Sequence, residues 1–459
     1  MAKVNDLGRD PLPGLVLRIA IPSMLAQFVS VFYSIVDRIF VSSIPEVGDL
    51  ALAGLGVCGP VVTMVGSFAF LIGIGGTPLM GISLGERNPA RAKQIMANCF
   101  AMLLILSAVL TVAVFALREP MLRLFGASDI TYEYADAYFR VYIAGTVFAL
   151  LSTGMNQFII AQGYAKTGML SIMIGTVMNI ILDPVFMFVF DMGVSGAALA
   201  TVISQAASAA FVICFLFSRR SSVKISFGGY DWRLCLRVLK LGFTPFAIIA
   251  VDNVMIIAMN ALLQKYGGPA RGDILVTVNT IVQSFMLVVT MPLGGISGGT
   301  QCILSYNYGA CNSQRVIKGH RFITAICAGY TTVLFILART CGPLFISLFT
   351  QDAAIAAEAF RAVKIVTMAI IPLGVQYAII DGLTGMGQVQ LSLPLSFWRK
   401  LVYFVSIFLL SDLAGAASVF YAEPISDILG PLVSIPVCMK ALPQIMRHRD
   451  QDLRPKKYH

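Results

Sequence analysis

Apolar runs of about bilayer length follow one another along the chain, separated by short polar connections. They fall at 14–41, 50–82, 95–117, 136–162, 168–190, 193–217, 238–264, 273–305, 320–345, 358–385, 391–412 and 417–442. Each is long enough to cross a hydrocarbon core of roughly 30 Å as a helix. The pattern predicts an all-α polytopic membrane protein with about twelve transmembrane helices.

Composition agrees with that pattern. The hydrophobic fraction is 58% and the charged fraction 12%, about half of what a soluble domain carries. Mean hydropathy is +0.83. The net charge of +10 would suit nucleic acid if it were spread over one face, but it is not. Lys and Arg concentrate in alternate connections: GERNPARAK at 85–93, the stretch 219–240, NSQRVIKGHR at 312–321 and the tail. The intervening connections IPEVGDL, DMGVSG and YAEPISD are acidic or weakly charged, although REPMLR at 118–123 and KYGGPARGD at 265–273 blur the alternation. The positive-inside rule then puts both termini and the linker in the cytoplasm, as an even helix count requires. The N-terminus has no signal-peptide pattern, so the first apolar run is expected to serve as the entry signal. Nine cysteines show no paired spacing, and His320, His448 and His459 read as loop or tail residues. Neither a disulfide framework nor a zinc site is expected.

Sliding the chain against itself by about 223 positions brings out a tandem repeat. LRIAIPSML at 17–25 answers LKLGFTPFA at 239–247, and LRLFGAS at 122–128 answers FISLFTQ at 345–351. Between them Gly76 and Thr77 match Gly299 and Thr300, and Gly85, Asn88 and Arg91 match Gly309, Asn312 and Arg315. Six helices per half make the two repeats parallel in topology. The expected organisation is an N-lobe at 1–217, a cytoplasmic linker at 218–237, a C-lobe at 238–445 and a basic cytoplasmic tail at 446–459. Twin six-helix lobes suit an alternating-access transporter, though duplication also occurs in channels.

Two aspartates stand in otherwise apolar runs: Asp37 in AQFVSVFYSIVDRIFV and Asp183 in IGTVMNIILDPVFMFVF. A carboxylate at membrane depth costs a few kcal/mol and usually faces an interior cavity, which makes each a functional candidate. Asn179 and Asp183 are spaced i,i+4 and share one helix face, as do Tyr33 and Asp37. Pro184 lacks an N–H, which leaves the Ile180 carbonyl free for a cation or water. Oxygen donors suit a hard cation such as Na⁺, and two neighbouring carboxylates can share a proton. The chemistry fits H⁺, Na⁺ or both. The plainer alternative is that Asp183 caps a proline kink and Asp37 pairs with Arg38, although adjacent residues project on different sides of a helix.

The chain resembles the multidrug and toxic compound extrusion (MATE) family. The resemblance rests on IPSMLAQ and SIVDRIFVS in the first span, LGERNPARAKQ after the second, and NQFIIAQGYAKTGMLSIMIGTVMNIILDPVF across the fourth and fifth. GMGQVQLSLPLSFWRK echoes the last stretch in the second half. The resemblance implies two bundles in a V shape, with drugs expelled by an inward ion gradient. In one branch of the family it also implies a coupling-ion site, here at Asp37, Asn156, Asn179, Asp183 and Thr201, with Na⁺ at Asp37 and Asp183 as one option.

The second half has acids of its own, Asp252 and Asp381, that either bind cationic substrate or pack between helices. The repeat makes Asn260, not Asp252, the counterpart of Asp37. Arg399 and Lys400 either snorkel to the interface or one of them pairs with Asp381. Met155, Met173, Met178, Met255 and Met259 are candidates for a pliable surface that binds many flat cations. The expected substrate cavity takes in Tyr33, Met173, Asp252, Met255, Gln283 and Asp381. GIGIGGT and GGISGGT lie inside spans without a following Lys-Ser/Thr and suggest close helix packing; the absence of a Walker motif excludes self-contained ATP coupling.

The expectation is therefore a secondary antiporter of the bacterial inner membrane, exporting organic and often cationic drug-like compounds against H⁺ or Na⁺. It is expected to need no cofactor, to work as a monomer in lipid and to bind no nucleic acid. A lipid-linked or polar-metabolite flippase is the alternative; it would carry extra helices and a basic cavity, which the sequence does not suggest. An enzyme is not expected, since no HExxH or GxSxG occurs and no helix is expected to hold a histidine.

Overall fold

The computed structural model describes residues 5–42, 44, 48–124 and 129–452. Among them there is no strand. Fifteen α-helices follow in order: α1 Leu12–Ser42, α2 Gly48–Gly85, α3 Pro89–Ala116, α4 Arg118–Leu124, α5 Asp129–Ala144, α6 Thr146–Ala161, α7 Ala165–Pro184, α8 Gly193–Phe217, α9 Trp232–Gly309, α10 Ser313–Thr340, α11 Gly342–Ile346, α12 Ala353–Val366, α13 Ile370–Gly385, α14 Val389–Ala414 and α15 Ala422–Asp452. α9 is two arms broken at Gly268, whose φ of 66° is left-handed. Among the described residues, 11 helices are long and apolar enough to cross a membrane, or 12 where α5 and α6, bent by 57°, count together as one broken span.

The described chain forms two compact units. One comprises Ile21–Ile249 with the N-terminal residues up to Asp6; the other comprises Leu7–Ala20 and the chain from Ala250 onward. The first has a core that includes Phe139, Phe158, Ile95, Leu103 and Leu150, all buried. The second is centred on Leu263, Val278, Val289, Ile370 and Ile407.

The repeat reappears in local geometry. Arg87 and Cys311 both take left-handed φ, 58° and 56°. The residue after each caps the next helix. Asn88 accepts from the Arg91 N–H at 3.0 Å, and Asn312 from the Arg315 N–H at 3.2 Å. The helices they start, α3 and α10, are both 28 residues long. Gly163 and Gly387 also share positive φ, 88° and 75°. Counting equally far past these two glycines places Tyr403 opposite Asn179 and Ile407 opposite Asp183.

The glycine-rich stretch of α2 is a contact surface. A Cβ on Gly242 in α9 would lie 1.7 Å from the Leu71 carbonyl oxygen, and one on Gly75 would lie 2.3 Å from that of Val238. The two backbones touch where only glycine leaves room. In the same unit, 218–231 runs without a helix and is tied to α3. Asn98 donates to the Gly229 carbonyl at 3.2 Å and accepts from the Asp231 N–H at 2.9 Å.

The connections that blurred the charge alternation carry their own counter-ions. Arg118 pairs with Asp136 at 3.1 Å, Arg123 with Asp129 at 3.0 Å and Arg271 with Glu358 at 2.7 Å. Three sequence expectations need correction. YAEPISD is no connection: Glu423 and Asp427 stand in α15, Asp427 fully buried. His320 is no loop residue either; it lies in α10, 6% exposed, with its imidazole against the backbone at Gly382. His448 lies in α15, so helices do hold histidines. A polar residue near a helix end looks the same in sequence whether the helix has begun or not.

Candidate functional site

Four elements of the first unit converge on Asp183. It sits at the end of α7, just before Pro184, where a π-helical turn at Val185–Val189 replaces regular α geometry. The Val185 N–H reaches back only to Leu182, as expected where proline interrupts the ladder. Asp183 is wholly buried and Asn179 is 2% exposed. Asn179 donates its amide to Asp183 Oδ1 at 3.1 Å and to the Thr201 hydroxyl of α8 at 3.4 Å. Thr201 in turn donates to the Ala197 carbonyl at 3.0 Å. Asp37 of α1 lies within hydrogen-bonding reach of the Asp183 carboxyl. Tyr33, one turn before it, reaches Thr201.

The oxygen atoms left over in this cluster define its chemistry. Asp183 Oδ2 and Asn179 Oδ1 are buried and have no donor. Both only accept, and the nearby Asp37 carboxylate cannot donate unless protonated. Buried acceptors without donors are costly, and a proton or a small cation is the kind of partner that such oxygens take.

Of the five residues expected there, Asp37, Asn179, Asp183 and Thr201 come together. Asn156 does not join them directly: its Oδ1 accepts from Ser171 at 3.0 Å, and the Ser171 carbonyl accepts from Ser208 at 3.0 Å. Arg38's side chain lies outside the described residues. The sequence reading missed Tyr138, which lies near Asp37 and Tyr33, and Tyr142, which pairs with Gln205. Tyr138 and Tyr142 stand one turn apart on α5 with rings stacked at 6.0 Å; that i,i+4 pair was the available signal.

The second unit holds a cavity of about 170 Å³. Asp252, Met255 and Gln283 line it, together with Arg399, Lys400 and Glu423. The other expected members lie elsewhere. Asp381 takes a short hydrogen bond from Ser297, Tyr33 belongs to the Asp183 cluster, and Met173 is exposed on α7. Met155 is core, as is Met259, whose sulfur accepts from the Tyr403 hydroxyl at 3.7 Å. Arg399 pairs with Asp427 at 2.8 Å and Lys400 with Asp252, so neither base pairs with Asp381 and neither simply snorkels. The cavity thus contains basic groups after all, each held by an acid. Asn260, the counterpart of Asp37, accepts from Asn279 at 2.8 Å, an amide pair in place of a carboxylate.

Comparison with known proteins follows the same lines. A family model described as MatE matches residues 22–185 and 249–425. The multidrug export protein MepA of Staphylococcus saprophyticus is 23% identical over 422 residues, 91% of this chain and 92% of that protein. MepA of Staphylococcus aureus is 22% identical over 429 residues, 93% of each. Among solved structures, an outward-facing multidrug resistance MATE transporter of the MOP superfamily superimposes with a TM-score of 0.89 at 21% identity, covering 97% of this chain and all of that one. A MOP-superfamily transporter from Pyrococcus furiosus, described as having a binding pocket of reversed polarity, gives 0.89 at 22% identity over 96% and 99% of the two chains. With the family model spanning both repeats, this chain belongs to the MatE family of membrane transporters.

Proposed function

We propose that this protein is a secondary antiporter that exports small organic cations, drug-like compounds among them, in exchange for H⁺ or Na⁺. The observation that carries this reading is the pair of donor-less buried oxygens, Asp183 Oδ2 and Asn179 Oδ1, beside Asp37. A proton or Na⁺ is the species that such a cluster stabilises. The relatives named as multidrug export proteins support the substrate class. Two acids on the lining of the second-unit cavity, Asp252 and Glu423, are the groups a cationic guest would meet there, beside Arg399 and Lys400.

Coupling follows from differential affinity. A cation bound at Asp37 and Asp183 favours the state in which the drug is released, and a drug bound from inside favours the other. Each shifts the equilibrium only by its preference between the two states. Lys and Arg concentrate at 85–93, 219–240 and 312–321, which supports cytoplasmic termini in a bacterial plasma membrane.

The flippase reading draws on the Arg399 and Lys400 charges in the cavity, but both are compensated by acids. Proteoliposomes holding only this protein test the proposal. Ethidium should move against an imposed inward H⁺ or Na⁺ gradient without ATP, and the effective gradient identifies the ion. Ethidium distribution indifferent to both gradients would overturn the reading.

A further inference from the structure

The two bases in the second-unit cavity are not equivalent. Arg399 of α14 is pinned: Nη1 lies 2.8 Å from Asp427 Oδ1, and its methylenes pass so close to Gly430 that a Cβ there would lie 3.0 Å from Cγ. The Arg399 and Asp427 side chains are 12% and 0% exposed. Lys400, the next residue, reaches across to Asp252 on α9 with a flexible stem and rotatable donors. Its side chain is 12% exposed, whereas that of Asp252 is 43% exposed. The lysine is enclosed while the carboxylate stays almost half exposed, and both line the cavity.

A third acid completes the arrangement. Glu423, in the first turn of α15, lines the same cavity and feels the charges of Arg399 and Lys400. It is a second seat within the field of the same ammonium. The cavity, about 170 Å³, is smaller than the roughly 300–1,000 Å³ usual for ligand sites. A drug-sized guest therefore enters by moving a side chain. Lys400 is the mobile one, and Met255, Met286, Tyr377 and Tyr403 offer the thioether and aromatic surface that receives a flat cation.

We propose that Lys400 is a tethered competitor for this cavity: its ammonium occupies Asp252 until an organic monocation takes that carboxylate, and it then moves to Glu423. The protein carries its own stand-in for the guest. Guests that bring a positive charge replace the lost Lys400–Asp252 pair; neutral guests of the same shape leave Asp252 uncompensated and are rejected. Specificity for cations then comes from a displaced lysine as much as from the carboxylate.

The inference rests on the organic-cation reading above. It is tested by titrating ethidium, followed by its fluorescence, against the purified full chain in detergent. Lys400→Met, nearly isosteric but uncharged, should tighten binding on the order of tenfold, the factor gained when a competitor that holds the site about nine-tenths of the time is removed. Glu423→Gln should weaken binding several-fold, because Lys400 loses its alternative seat. In the Lys400→Met background that weakening should shrink; a carboxylate that merely attracted the guest directly would show an undiminished effect. Unchanged or weaker binding by folded Lys400→Met, or an undiminished Glu423→Gln effect in that background, overturns the proposal. Should Lys400→Met fail to fold, Lys400→Gln takes its place with the same expected and overturning results, and an unchanged affinity of Glu423→Gln counts against the proposal as well. Loss of gradient-driven ethidium transport in the wild type would sink the organic-cation reading and this inference together. Normal transport with a Lys400-independent affinity would sink this inference only.

Discussion

Asn179 donates its side-chain amide to the Asp183 carboxylate at 3.1 Å, one turn away on the same buried face of α7. That amide is the donor that makes a wholly buried carboxylate tolerable at this depth. Asn179→Ala removes it and leaves Asp183 without its amide donor. Hydrogen bonds to charged groups contribute about 1.5–3 kcal/mol, so the variant should unfold with a stability lower by about 2 kcal/mol. Thermal unfolding in detergent measures this. A wild-type midpoint would show that the amide does not support the carboxylate.

The Arg399–Asp427 pair should behave as a unit. Removing one member, as in Arg399→Met or Asp427→Leu alone, strands the other charge in the interior and should cost about 3–5 kcal/mol, whereas the two substitutions together should recover most of that loss. The four proteins of this cycle, compared by unfolding midpoint, give the coupling directly. Additive losses would mean that the pair is not one.

Close backbone contact at Gly242 predicts a sharp contrast between two glycines. Gly242→Ala would set a Cβ 1.7 Å from the Leu71 carbonyl oxygen, a clash that only backbone movement relieves, and should destabilise by about 3 kcal/mol or more. At Gly175 in α7 the nearest atom to an added Cβ is 3.5 Å away. Gly175→Ala should be neutral or stabilise by up to about 1 kcal/mol through helix propensity. Yield and unfolding midpoint of the two variants make the comparison, and equal behaviour would refute the packing account.

Much of this architecture is legible from the chain. The apolar runs find the spans because lipid leaves the backbone few alternatives, and the matched Asn88 and Asn312 foretell two equivalent caps. Asp37 and Asp183 stand out because an acid in a span is expensive. The second unit is harder to read because its pairs are long-range. Lys400 and Asp252 are 148 residues apart, and Arg399 finds an acid, Asp427, that looks like part of a connection. Hydropathy has no register for such pairs: a charge compensated by a distant helix looks like a charge near a boundary. His320 hides near a boundary too, as the eighth residue of a helix that begins with polar residues.

The central claim is that the cation site of the first unit couples the gradient to export. It is tested most directly by ethidium efflux from proteoliposomes under imposed H⁺ or Na⁺ gradients, comparing wild type with Asp183→Asn at equal ethidium affinity. The account predicts that Asp183→Asn still binds ethidium but no longer responds to either gradient. Undiminished gradient-driven efflux by Asp183→Asn would contradict it.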